Sequence, residues 1–208
     1  MAVPRRHHHL SRESIAREAL ELVDEEGTDS LSLRRVAEML GVGTMNLYTY
    51  VDDRDGLIRD IVALLLSEIE LPADPDLTWE EFVIHSGHSL RAMALRHPRA
   101  FPFVALARYD EPAVLRYAQR VEDALVRLGF PSELLPKLAS LLDAHGTGFL
   151  LIETQSVSIR RSEQHDPFSD AVPGASALLN SQADPAKAFD DDLAAIIVGF
   201  KTVHGICE

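Results

Sequence analysis

The chain has 208 residues, 46% hydrophobic and 25% charged, which describes a globular chain of one large or two small domains. Its longest apolar runs, such as Ile61–Leu66, fall far short of the roughly 18 to 20 residues that span a bilayer, so no membrane partner is expected. A single cysteine, Cys207, excludes an internal disulfide framework and a cysteine-based zinc site, and the formal net charge of -13 argues against a phosphate-binding role unless basic residues are locally concentrated.

The N-terminus MAVPRRHHHLSRE has basic residues but no following apolar stretch with a cleavage site, so no secretory signal is read and a cytoplasmic protein is expected. Residues 1–10 read as a basic arm in which Arg5, Arg6, His7, His8 and His9 admit three explanations: a loose tail, contacts to a polyanion, or an adventitious metal-binding run. Ser11 stands as the N-cap of a first helix over Arg12–Glu26, with Leu10 and Ile15 spaced as a hydrophobic staple and Gly27 as the stop. Ile15, Ala19, Leu22 and Val23 recur at helical spacing on its inward face.

Ser32 caps a second, short helix with Leu33, Val36, Ala37 and Leu40 inward, ended at Gly41, where a left-handed residue is wanted. After Val42 a third helix over Thr44–Tyr50 is too short to stand alone, so Leu47 and Val51 must pin it to the first two. Two short helices joined by a glycine-containing turn and propped by a third form a helix-turn-helix. Local charge agrees, because Leu31–Val51 carries Arg34 and Arg35 against Glu38 alone, while Asp190, Asp191 and Asp192 lie far along the chain.

A fourth helix over Gly56–Glu70, capped by Asp53, leads to a break at Pro72–Pro75, which divides residues 11–70 from 71–208. Beyond it the pattern predicts helices over Trp79–Arg96, Phe103–Ala107, Glu111–Leu128, Ser132–Thr154 and Asp190–Cys207, with a polar loop over Ser158–Pro185 long enough to act as a lid. No strand pattern appears, and the fold class is all-α.

The stretch LSLRRVAEMLGVGTMNLYTYVDDRDGLI resembles the TetR family signature of transcriptional regulators. Trp79 with Phe82, LDAHGTGFLLIETQ and FDDDLAAIIVGFK resemble parts of the tetracycline repressor's regulatory domain. Two positions depart from the pattern: Gly43 stands where a capping serine is common, and acids flank Arg54. The resemblance implies a homodimer that binds double-stranded operator DNA through residues 11–70 and takes a small-molecule effector in residues 71–208. It implies a repressor released by that effector; an activator or a ligand-independent DNA-binding protein has the same fold.

Only an exposed helix face in the major groove distinguishes all four base pairs. By resemblance, Arg34, Thr44, Met45 and Asn46 fall at base-contacting positions and Tyr48, Tyr50 and Arg54 at backbone-contacting ones. The Asn46 amide suits adenine, Met45 or the Thr44 methyl suits a thymine methyl, and Arg34 suits guanine or phosphate. Tyr48 also reads as a packing residue, a role compatible with offering its hydroxyl to phosphate.

Candidate effector-pocket residues are His85, His88, Phe101, Phe103, His145, Phe149 and Glu153, since bundle interiors hold apolar ligands with a few polar anchors. His145 and Glu153 match tetracycline-repressor positions, the Glu there helping to hold the drug's magnesium, but the metal-binding His of that repressor has no counterpart in HPRAFPFVALAR. A larger apolar effector is therefore expected, with no metal and no cofactor. The dimer seam is expected from the last two long helices, with Gly146 and Gly148 permitting close approach and Leu193, Ile196, Ile197, Phe200 and Val203 supplying the apolar stripe. No catalytic motif appears, so no enzyme is expected.

Overall fold

A computed structural model describes residues 10–161 and 184–206, with side chains described through Gln155 and from Asp184. The Arg5–His9 arm, most of the Ser158–Pro185 loop and Cys207 lie outside the described residues. All regular structure among the described residues is helical: α1 (Arg12–Glu26), α2 (Leu33–Leu40), α3 (Thr44–Leu47), α4 (Arg54–Ser67), α5 (Trp79–Arg96), α6 (Phe101–Ala105), α7 (Pro112–Arg127), α8 (Leu135–Arg161) and α9 (Pro185–His204).

The chain forms two compact units. The first comprises residues up to Ile69 together with His97–Ala118, and the second comprises Glu70–Arg96 and the chain from Gln119 onward. In the first unit, α1 starts with a capping box: the Ser14 amide donates to Ser11 Oγ at 3.1 Å and the Ser11 amide to Ser14 Oγ at 2.9 Å. Ser32 Oγ accepts from the Arg35 amide at 3.2 Å to start α2, and Gly41 ends it in the left-handed conformation, φ 67° and ψ 31°.

Helical backbone in α3 covers only Thr44–Leu47 and continues as turns to Tyr50, shorter than the sequence pattern predicts. Gly43 at its N-cap has no side chain to satisfy the free amides, so the segment is held by the burial of Leu47 and Val51. Conversely, α4 begins two residues earlier than predicted, because Asp53 accepts from the Gly56 amide at 2.6 Å. Ile15, Leu22, Val36, Leu47, Leu57, Ile61 and Leu65 are fully buried between α1, α2, α3 and α4, each contributing about 1.5 to 3 kcal/mol.

Entry to α6 is tied down on the same unit. His97 Nδ1 faces Asp24 Oδ2 at 2.6 Å and Nε2 faces Glu68 Oε2 at 3.3 Å, joining the C-terminal ends of α1 and α4. Arg99 donates to the Asp24 and Glu25 carbonyls, capping the end of α1. Phe101 is buried behind this clasp, and α6 packs on α4.

In the second unit, α5, α8 and α9 pack against one another. One part of the core surrounds Trp79, whose ring meets Phe130 edge-on at 4.9 Å, with Phe82, Leu125, Leu138, Ile197 and Phe200 around it. α9 packs tightly on α5 at Gly87, where an added Cβ would lie 2.8 Å from Leu193 Cδ1.

That packing corrects the expected seam. Leu193, Ile197 and Phe200 are buried within their own chain, because the inward stripe of α9 is used on α5 and the Trp79 cluster. Gly146 likewise faces Leu90 of α5. Among the described residues, the large exposed apolar side chains of α8 and α9 are Leu141, Ile152, Val198 and Val203, and Gly148 on α8 faces open space.

Candidate functional site

The exposed side of α2 and α3 is polar and mixed, on a buried base. Met45 is 78% exposed, Asn46 and Tyr48 are also exposed, and Thr44 is half-buried at the first helical position. Leu47 and Val51, both buried, fix the rotation of α3, so Met45, Asn46 and Tyr48 are held outward and Thr44 is left half-exposed at its start. Tyr48 and Tyr50 extend into solvent, which disfavours a purely packing role for Tyr48.

Arg34 is exposed and reaches Glu38 one turn away at 3.0 Å. Such a surface pair is worth little and dissociates readily in favour of a stronger anion. Arg54 has a different setting: Nε donates to the Leu31 carbonyl and Nη2 to the Thr28 carbonyl, each at 3.0 Å. Its guanidinium braces the start of α4 against the segment entering α2, so Arg54 has a positioning role in the fold besides the backbone contact expected of it. Arg35 similarly ties α2 to Glu26 at 2.6 Å, and this carboxylate keeps the guanidinium above its already high ordinary pKa.

The effector candidates divide between the units. Phe101 and Phe103 lie in the first, on α6, with Phe101 buried in its core. Of those in the second, His145 and Phe149 on α8 converge with Phe189 of α9: the His145 ring lies 6.0 Å from Phe189, nearly parallel, and Phe149 lies 5.2 Å from it. His88 is exposed, bonded to Asp190 at 2.7 Å, with its ring 6.5 Å from Phe189. His85 turns back to the Glu81 carbonyl at 2.8 Å and is exposed on α5, apart from these rings.

Glu153 is 5% exposed and is gripped by Arg91, whose Nε and Nη2 donate to its two oxygens at 3.0 and 2.5 Å. Burial of a carboxylate demands such a partner. The sequence reading missed Arg91 and Phe189; Arg91 stands one helical turn after His88, and that spacing was its available signal. Two buried polar atoms of this unit, Ser86 Oγ and His145 Nε2, have no hydrogen-bond partner. Asp192 is 3.8 Å from His145 Nε2, too far for a hydrogen bond. Among the described residues no cluster of three or more His, Cys, Asp or Glu is placed to hold a metal ion.

A braced helix-turn-helix followed by a helical unit with a ring-lined, ion-paired interior defines a regulator of the helix-turn-helix type. Residues 71–203 match the model of the tetracycline-repressor-like C-terminal domain, and the chain belongs to that family. It is similar to an HTH-type transcriptional regulator of Saccharopolyspora erythraea, 28% identical over 121 residues, covering 58% of this chain and 51% of that one. It is also similar to the class D tetracycline repressor protein of Escherichia coli, 33% identical over 91 residues, covering 42% of this chain and 41% of the repressor. The aligned chain thus spans about half, or less, of the length of these two relatives. Among solved structures, the Streptomyces coelicolor TetR family protein ActR in complex with actinorhodin aligns at 27% identity and TM-score 0.72, over 92% of this chain and 95% of ActR. Among the described residues no helix is long and apolar enough to cross a membrane.

Proposed function

We propose that the protein is a cytoplasmic, homodimeric transcriptional repressor that reads a palindromic operator with α3 and leaves it when an apolar small-molecule effector, larger than tetracycline, binds the second unit. The observation that carries the reading is the outward face of α3. Three side chains with distinct base preferences, Thr44, Met45 and Asn46, flank a fully buried Leu47 on a helix whose neighbours are fixed by the Ser32 cap, the Gly41 stop and the Arg54 brace. Thr44, Met45, Asn46 and Arg34 meet base edges, while Tyr48 and Tyr50 meet the backbone. No catalytic step is assigned.

In the second unit the reading gives the effector an aromatic body stacked among His145, Phe149 and Phe189, with Ser86 Oγ and His145 Nε2 as polar anchors. His88 lies at its edge, His85 is left out, and Phe101 and Phe103, on α6 of the first unit, are not walls of this pocket. Because Arg91 already neutralises Glu153, the effector binds without magnesium. Exposed Ile152, Val198 and Val203 give the dimer its apolar seam, with Gly148 admitting the partner helix. Effector binding then acts by differential affinity for a DNA-incompetent state.

The test is selection of bound duplexes from a random pool at two salt concentrations, with Asn46→Ala in parallel. A salt-sensitive palindrome is expected, with Asn46→Ala losing about 1 to 3 kcal/mol of discrimination at one position per half-site. Failure to enrich any sequence at low salt refutes the regulator reading; an unchanged preference in the variant removes Asn46 from the base-reading set.

A further inference from the structure

The first unit contains a cleft of about 950 Å³ between α4, over Arg54 to Ala63, and the α6–α7 segment, with Arg12 and Thr28 also at its wall. A volume of that size is ample for a small-molecule ligand. Apolar side chains line one part: Ile58 and Val62 from α4, Phe103 from α6, and Leu106, which is 76% exposed just past the end of α6.

The cleft's charges are unequally matched. Arg12 is held by Asp60 through two bonds of 2.9 and 2.7 Å, and Arg108 is held by Asp110 and also faces Glu111. Arg54 is spent on the two backbone carbonyls. Asp55 sits in the first turn of α4, where the helix dipole favours a negative charge. Two cations remain: among the described residues Arg116 has no bonded partner, and Arg59 meets the exposed Asp53 alone, at 3.9 Å.

We propose that this cleft binds an amphipathic anion, a small molecule whose apolar body lies on Phe103, Leu106 and Ile58 and whose carboxylate, sulfonate or phosphate group is taken by Arg116 and Arg59. Arginine's planar fork suits each of these acids bidentately. The site belongs to the DNA-binding unit and is separate from the ring-lined interior of the second unit, so it stands whether or not that interior takes an effector. An occupant spans α4 and α7, tying the start of α7 to the scaffold that positions α3.

The probe is 8-anilinonaphthalene-1-sulfonate, titrated into the full-length protein by fluorescence, beside its uncharged analogue N-phenyl-1-naphthylamine. Arg116→Gln is expected to weaken sulfonate binding about tenfold, the worth of one charge-assisted hydrogen bond, and to leave the uncharged analogue unaffected. Leu106→Asn weakens both. Both side chains are exposed, so the thermal melts of the variants match the parent. Arg59→Gln is the second variant at the anion end, and Arg127→Gln, an exposed cation of the second unit, is the control. Equal sulfonate affinity in Arg116→Gln, Arg59→Gln and Arg127→Gln overturns the proposal, as does an unchanged titration in Leu106→Asn.

Discussion

His97 offers a sharp test of how the first unit is held together. Both ring nitrogens face carboxylates, Asp24 at 2.6 Å and Glu68 at 3.3 Å, an arrangement that only the doubly protonated imidazolium satisfies, since a neutral ring has one donor. The hydrogen bond to Asp24 and the two negative charges accordingly raise its pKa above the ordinary value near 6.5, against a smaller opposing effect of burial. A raised folded-state pKa means that the clasp's stabilisation is complete below the unfolded value and disappears as pH rises through the folded one. His97→Gln removes the cation while keeping a polar side chain. Each hydrogen bond to a charged group is worth about 1.5 to 3 kcal/mol, and partial solvent screening of the acids reduces the pair to about 2 kcal/mol in total. At 2 to 4 °C per kcal/mol, the variant should melt about 4 to 8 °C below the parent near pH 6. Calorimetry or fluorimetry on both proteins near pH 6 and pH 8.5 should show the gap closing at the higher value. Subtracting the variant cancels titration of the other histidines, so a gap that stays constant or widens with pH refutes the charged clasp.

Other perturbations reach other parts of the molecule. Arg91→Met strands the buried Glu153 carboxylate and should cost about 3 to 5 kcal/mol in denaturant unfolding, whereas Arg91→Met with Glu153→Leu should recover most of it; no recovery would deny the coupling. Gly87→Val drives a side chain into Leu193, so thermal melting should report a loss of about 1 to 3 kcal/mol, and a neutral result would mean that Leu193 moves aside. Arg54→Lys loses the planar fork that spans the Leu31 and Thr28 carbonyls; it should lower the stability of the first unit by about 1 kcal/mol, and a variant that loses operator affinity with an unaltered melt would assign Arg54 to phosphate contact and not to bracing.

The all-helical class, the helix-turn-helix and the outward residues of α3 were legible locally, because caps, glycine stops and 3.6-residue periodicity are short-range signals. Ser11, Ser32 and Asp53 each bond the amide three residues on, as their spacing predicts, and Gly41 takes the left-handed conformation that its position after Leu40 requires. A short helix with one fully buried leucine leaves its remaining positions to solvent, which is why Thr44, Met45, Asn46 and Tyr48 could be named before any fold was known.

What tertiary structure decided was how side chains distant in sequence share partners. Periodicity shows that Leu193, Ile197 and Phe200 form one stripe of α9, but not whether that stripe meets α5 of its own chain or a second copy; burial against α5 and the Trp79 cluster settles it. Arg54 looks like a free cation until the carbonyls of Thr28 and Leu31 are brought beside it. Glu153 looks like an unpaired acid until Arg91, 62 residues earlier, closes on it. His97–Ala118 joins the first unit because His97 and Arg99 find their partners at the ends of α1 and α4. The physical reason is common to all four cases: local conformation is governed by neighbours within a few residues, while the cost of an unpaired buried charge, or of an exposed apolar stripe, is relieved only by groups that folding delivers from elsewhere in the chain.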